Sequence, residues 1–576
     1  MFGAIGNFVY RLRFVVIAVM VALMAGLGLY GLDLNKHLSQ SGWFDPGSPS
    51  VEGSQLRDEV LGRDHKSDVI MLVTPPAGTK VDDPAFATKV ERIVEDLIAQ
   101  HGDVVDRTDP GIVDPFKPAA NDFDKATQAQ VQARLFDASR EHGFVSIGVR
   151  GDDDTTILNN YKKIESFFDD LPEKYDLPGT TIEMAGLQPV AGAMSAGMDE
   201  DIKRAEIIAL PLVAVMLFFI FGGVIAACLP VVIGGLTIAG SLGIMKLLTH
   251  VTELNIFAQS VVTLIGLGIA IDYGLFIVSR FREELAEGYT TKDAVRRTVM
   301  TAGQTVVFSA TIIVAALACL LLFPQGFLKS VAYGAIASVS LAAICSITVL
   351  AAILAILGPR IDMWGFSFLR RTKTKKEVED SFWGRLAGWV MRHPLKTAIP
   401  VVLLLLALVI PFANIQFGGI TEKYLPPNND NRIAQQNFDK FFPTERTEEI
   451  KLVIEYNPES SDDAAKLQTI ADEANKIPGF TKEFTLDGAQ AEGNVVELAA
   501  GLIDQNTAGE AVKELRDIDT QGLNMYVAGT PALTQDSINA LLDDLPLMVA
   551  LLILVTSLLM FLAVDLGTGH PSGQRR

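Results

Sequence analysis

Seven long apolar blocks limit what this chain can become, because no water-soluble core absorbs them. About 20 apolar residues cross a bilayer as a helix. The blocks run at about 14–32, 207–248, 258–279, 305–323, 328–357, 397–415 and 545–564. The block at 207–248 is too long for one crossing and is interrupted by Gly222-Gly223, so it reads as two spans joined by a tight turn. Eight spans result. The first follows Arg11 and Arg13, exceeds the apolar part of a signal peptide and has no clear small-residue cleavage site after it. It therefore reads as a retained span. The fold class expected is an α-helical polytopic membrane protein with two large soluble inserts.

Charge gives the direction. With the N-terminus inside, the loops at about 280–300 and 359–396 are cytoplasmic. The second carries nine Lys/Arg against four acids, and the first five against four. The opposite loops at 249–257 and 324–329 carry one Lys between them. This is the positive-inside pattern. It divides the chain into a first span (1–32), an extracytoplasmic insert (33–206), spans two to six (207–358) and a basic cytoplasmic loop (359–396). Span seven (397–415), a second extracytoplasmic insert (416–544), span eight (545–564) and a polar tail (565–576) follow. The expected location is the plasma membrane. The net charge of −20 gathers in the inserts and argues against nucleic acid as a partner. Cys228, Cys319 and Cys345 all fall in apolar blocks, so the inserts have no disulfide framework.

The inserts share a texture. In the first, 67–76, 144–151 and 180–186 read as strands, and 84–100 and 155–171 as helices with apolar residues three and four apart. In the second, EIKLVIEYNP, NVVELAAGLI and LNMYVAG read as strands, with helices near 462–476 and 508–518. Each has the order of a split βαβ, α+β domain. AGLQPV (185–190) and AGTPAL (528–533) both follow a strand and precede a return span. The order span, insert, span therefore occurs twice. Internal repeats of this kind are common in transporters, with the substrate path between the halves.

One motif carries chemistry: GLGIAIDYGLFIVSRFREE, residues 266–284. Asp272 lies in the fourth span, about two turns before Arg280. An ionised carboxylate at that depth costs several kcal/mol, so it persists only facing the bundle, paired or protonated. In the last case it is a proton carrier; the plain alternative is a carboxylate bonding a neighbouring helix. Tyr273 beside it can donate a hydrogen bond. Ser309 in the fifth span is a candidate hydroxyl partner, or a back-bond to its own helix. Gly266, Gly268 and Gly274 let neighbouring helices come close. There is no HExxH, Walker loop or GxSxG, and the seven His do not pair at ligand spacing. No enzyme, metal or cofactor is expected, and an ion gradient remains as the energy source.

IDYGLFIVSRFREE resembles the fourth-span signature of the mycobacterial membrane protein large (MmpL) family, within the RND superfamily. NKHLSQSG (35–42), GDDDTTILNNYKKI (151–164), AGLQPVA (185–191), ALPLVAVMLFFIFGGVIAA (209–227), LLFPQGFLKS (321–330), RTKTKKEVEDSFWG (371–384) and GGITEKYLPPNN (418–429) are similar to its mycolate-exporting branch. The resemblance implies porter-type outer domains and proton-driven export or flipping of trehalose monomycolate. It implies that Asp272 and Tyr273 face an Asp-Tyr pair in a tenth span, for which this chain has no counterpart. It also implies a lipid cavity between the outer domains and the outer ends of the spans, for which Gln40, Trp43, Phe44 and Tyr424 are candidates; interfacial anchoring is the plain role for such aromatics.

Five spans follow the first insert and one follows the second, after which the chain reads AVDLGTGHPSGQRR. Against the first repeat, about 135 residues are missing, the length from 224 to 358. The expectation is a truncated or frameshifted product, or half of a split gene that needs a second chain or a homo-oligomer. Two functions follow: a proton-coupled lipid transporter, or a non-transporting membrane protein that binds lipid or a partner. The predicted sidedness is testable. In a cysteine-free background, Thr372→Cys is expected to react with an impermeant maleimide only in inverted vesicles, and Ser460→Cys in intact cells. The opposite pattern overturns the assignment.

Overall fold

Two strand-to-helix junctions organise the chain. The computed structural model describes residues 2–107, 111–118, 122–363, 381–411, 421–487 and 489–568. The stretch 364–380 of the basic loop, residues 412–420 and the tail beyond 568 lie outside the described residues. In the first insert, β1 (Val69–Thr74), β2 (Ile112–Val113), β3 (Gly143–Ile147) and β4 (Thr181–Ala185) form one sheet in the order β2-β3-β1-β4. In the second, β5 (Glu449–Glu455), β6 (Gln490–Glu492), β7 (Val495–Gly501) and β8 (Asn524–Ala528) form another in the order β6-β7-β5-β8. All pairings are antiparallel. With a helix after the first and third strands, both sheets have split βαβ topology. The short edge strands β2 and β6 leave too little alternation to be read from sequence.

Each domain passes directly into a membrane helix. β4 ends at Ala185, Gly186 takes φ +106°, and one helix runs Leu187–Phe221. β8 ends at Ala528, Gly529 takes φ +86°, and one helix runs Thr530–Thr568. A Cβ at Gly186 would lie 2.9 Å from the carbonyl oxygens of Ser67 and Asp68, and one at Gly529 would lie 2.1 Å from that of Glu449. Only glycine fits both the dihedral and the space. Hydropathy had placed these spans at 207 and 545. The helices start earlier because their first turns are helical but polar, which a hydropathy scan does not register.

Seven described helices are long and apolar enough to cross a membrane, and a bent pair, Gly384–Arg392 with Pro394–Val409, makes a further crossing if counted as one. The chain is a multi-pass membrane protein. The turn expected at Gly222-Gly223 is there: Gly222 closes its helix in the left-handed region at φ +63°, with its N–H on the Phe218 carbonyl. The helix Phe257–Ala286 lies at the centre of the bundle, packed between Val224–Leu248 and Gly326–Cys345.

The sheets are completed by exchange. In the first domain, Val69, Met71 and Val73 pack on the domain's own helices, chiefly Pro84–His101 through Val90, Ile93 and Leu97. Asp83 and Pro84 start that helix, the Asp83 carboxylate accepting from the N–H of Ala85 and Phe86. The opposite face, Ile70, Leu72 and Phe144, is covered by Ala434, Phe438 and Phe442 of the second repeat, on and just after the helix Asp430–Phe441. Reciprocally, Leu56, Val60 and Leu61 of the helix Pro49–Leu61 cover Val453, Val495 and Ala528 of the second sheet. Phe438 is fully buried, with its ring 5.0 Å from Phe144. Phe438→Ala is expected to cost about 3–5 kcal/mol. Because the lost contact lies on the other repeat's sheet, amide exchange should accelerate in β1 and β4. Acceleration confined to β5–β8 would contradict the exchange.

Candidate functional site

The central helix has a packed face and an open one. A Cβ on Gly266 would sit 1.9 Å from Ser338 Oγ, and one on Gly274 2.8 Å from Pro230 Cβ. These two glycines therefore set how closely the helix meets its two neighbours. A Cβ on Gly268 meets nothing within 4 Å, so no neighbour among the described residues requires a glycine there. Leu264, Gly268, Asp272 and Phe276 recur every four residues along the exposed face. Asp272 stands in the middle of that apolar stripe. Among the described residues, nothing donates a hydrogen bond or presents a cation to its carboxylate. Tyr273 lies on the buried side, 3% exposed, with its hydroxyl 3.5 Å from Ser309 Oγ on the helix Ala302–Ala318. That separation is at the outer limit of a hydrogen bond. The structure thus brings Tyr273 and Ser309 together and leaves Asp272 open.

The helix is pinned at its far end. Glu284 is fully buried and accepts from Arg280 Nη2 and Arg297 Nε, each at 2.5 Å. A buried carboxylate holding two guanidiniums fixes the helix end without leaving an unpaired charge.

Of the four candidate cavity residues, Trp43 is taken up by packing. Its ring stacks on Phe327 (4.7 Å) and meets Phe257 edge-on (4.9 Å), while Nε1 donates to the Gln40 carbonyl at 2.5 Å. This ties the segment after the first span to the domain-facing ends of two membrane helices. Phe44 is half-buried next to it in sequence. Tyr424 is 63% exposed on a short turn, Glu422–Tyr424. None of the four lines the cavity of about 750 Å³ between the two domains.

Charged side chains from both repeats meet in that cavity. Arg57, from the helix Pro49–Leu61, is 3% exposed. It donates through Nε to Glu497 Oε2 at 2.6 Å and through Nη2 to Gln490 Oε1 at 2.9 Å. Lys451 stands between Asp64 (2.5 Å) and Glu497 (3.6 Å). Burial works to raise the Asp64 carboxyl, but Lys451, Lys66 and Arg57 outweigh it and hold it well below the ordinary carboxylate range. Two domains are thus joined by a chain of alternating charges from both repeats. Removing one partner of such a buried pair costs about 3–5 kcal/mol, because the other charge is stranded.

The chain matches the MMPL family over residues 42–397. It is 47% identical to the trehalose monomycolate exporter MmpL3 of Mycolicibacterium smegmatis, over 98% of this chain and 58% of the relative. The chain belongs to the MMPL family. The trehalose monomycolate exporter MmpL3 of Mycobacterium tuberculosis H37Rv is likewise 47% identical, over 98% of this chain and 61% of the relative. The mycolic acid-containing lipids exporter MmpL11 of M. smegmatis is 33% identical over 43% of this chain and 26% of the relative. This MMPL chain spans about three-fifths of the length of the two MmpL3 relatives.

Sequence reading of this MMPL protein singled out Asp272 but passed over Arg57, Asp64, Lys451 and Glu497. A signal was present in two of them. Glu497 is the lone charge of β7 and Lys451 the one charge between the terminal glutamates of β5, and the register Val453↔Glu497, Lys451↔Ala499 sets them diagonally across the two strands. Arg57 and Asp64 lie in polar stretches where charge is unremarkable. The packing difference among the glycines gives a test. Gly274→Leu is expected to lower the thermal midpoint by several degrees. In the chain alone, without partner helices, Gly268→Leu should leave it within about 2 °C, since surface changes fall within about 0.5 kcal/mol. Equal losses would show that both faces are covered.

Proposed function

We propose that this MMPL protein takes part in proton-driven export or flipping of a cell-envelope lipid, with trehalose monomycolate as the substrate. The observation that carries the reading is the identity of 47% along 98% of the chain to exporters named for that lipid. In this reading the inserts lie outside the plasma membrane, and the lipid passes between the domains and the ends of the spans, near Gln40, Trp43, Phe44 and Tyr424. Asp272 carries the proton and Tyr273 and Ser309 hold the hydroxyl side of the relay. Protonation makes the carboxylate tolerable in the bilayer, and its release pays for a change in helix packing. The partners are the bilayer, the lipid and protons, together with further helices, from a second chain or another copy, that cover the Asp272 stripe.

A second reading has its own support. The Asp272 carboxylate is exposed and unpartnered among the described residues, which favours a membrane protein that binds lipid or a partner without transporting. One experiment separates the two. The chain is reconstituted in vesicles with trehalose monomycolate, and lipid movement is followed with and without a proton gradient. Transport predicts gradient-dependent movement that Asp272→Asn reduces to the rate seen without a gradient. Lipid binding with no gradient-dependent movement assigns the second function.

A further inference from the structure

Among the described residues of the helix Phe382–Arg392, sequence FWGRLAGWVMR, none is buried. Ser381 caps its start, with Oγ accepting from the Gly384 N–H at 3.1 Å. His393 leaves the helical region at φ −133°, ψ 56°, as a residue before proline tends to do. Pro394 then opens the helix Pro394–Val409 at an angle of 96° to the first. From Ala398 to Val409 the second helix is apolar and exposed, as lipid contact requires. The span expected at 397–415 begins in the second helix, and a helix turned through a right angle from that span lies along the membrane plane.

Its two sides differ. Phe382, Leu386, Trp389 and Val390 fall at positions i, i+4, i+7 and i+8, one face of a helix. They are 65%, 39%, 49% and 40% exposed. Arg385 and Arg392, seven residues apart, share the flank next to Trp389, and both are exposed. Lys396 follows within one turn of the second helix, also exposed. Residues 381–396 contain no acid. The helix closes the basic 359–396 loop, which carries nine Lys/Arg against four acids, while the negative charge of the chain gathers in the two inserts.

We propose that Phe382–Arg392 is an interfacial helix that selects anionic phospholipid, seating its aromatic and aliphatic face at the acyl boundary and its three cations on phosphate headgroups. Apolar burial supplies depth, and each cation near an anionic surface adds to the attraction. Arginine suits this position because its planar fork takes two phosphate oxygens. The inference needs only that Pro394–Val409 crosses the membrane. It is independent of transport, of the lipid carried and of which side the helix occupies.

The test uses the full chain in nanodiscs of phosphatidylcholine with one brominated lipid, either phosphatidylglycerol or phosphatidylcholine, at equal mole fraction. Bromine quenches tryptophan at the acyl boundary. Trp389→Phe separates the Trp389 signal from those of Trp43, Trp364 and Trp383. The Trp389 component is expected to be quenched by both lipids, and more by brominated phosphatidylglycerol, by about threefold in apparent local concentration. Arg385→Gln, Arg392→Gln and Lys396→Gln together should lower that preference at least about twofold, while the three Lys or Arg exchanges keep it. Equal quenching by the two lipids overturns the anionic selectivity. Quenching unchanged by Trp389→Phe overturns the interfacial placement.

Discussion

Everything outside the bilayer depends on a reciprocal exchange of helices between the two repeats. A four-stranded sheet has two faces, and the helices of one split βαβ unit cover only one. Ile70 and Leu72 on one sheet, and Val453 on the other, are buried only because the other repeat supplies a helix. Neither domain is a complete hydrophobic unit alone. The exchange also explains why the segments before β1 and β5 begin with capped helices. Ser48 and Asn429 each close the first turn with a side-chain oxygen, so the crossing elements start with their end N–H groups satisfied.

The two crossings use different physics. Phe438 and Phe442 meet Phe144 in a dry contact, whose energy comes from burial and has little directional preference. On the other side Arg57 reaches into the second sheet and must satisfy its donors one by one, on Glu497, Gln490 and the Gly62 carbonyl. Such a network adds little stability over apolar residues of similar size but punishes any misalignment. Both crossings bury apolar side chains, and the second adds this charged network. Gln435 joins the two levels, because its Oε1 accepts from the Gly186 N–H at the point where the first domain becomes a membrane helix.

Much of this was legible in the sequence because it is written in periodicity. β1, buried on both faces, is an unbroken apolar run, VIMLVT. The helix Pro84–His101 announces itself by Asp83-Pro84 and the spacing of Val90, Ile93 and Leu97. The AG pairs at 185–186 and 528–529 mark both junctions. Contacts between distant segments left no such trace. Nothing around Arg57 indicates that Glu497, 440 positions later, is its partner. The Asp272 site was half legible. A carboxylate within an apolar span is conspicuous, and so are the glycines around it. Which of those glycines meets a neighbour depends on helix rotation, and the one-residue difference between Asp272 and Tyr273 turns one outward and the other in.

The unbroken passage from sheet to bilayer has a mechanical side. Leu187–Phe221 is 35 residues long, about 52 Å at 1.5 Å per residue. Its β4 end is clamped by a glycine junction with no slack, and its other end lies among the spans. Over that length a tilt of about 5° at one end corresponds to about 4–5 Å at the other, and Pro211 within the helix marks where it can bend. The second repeat carries a matching rod in Thr530–Thr568. A tilt of either rod within the bundle therefore corresponds to a displacement of several ångströms at its sheet end.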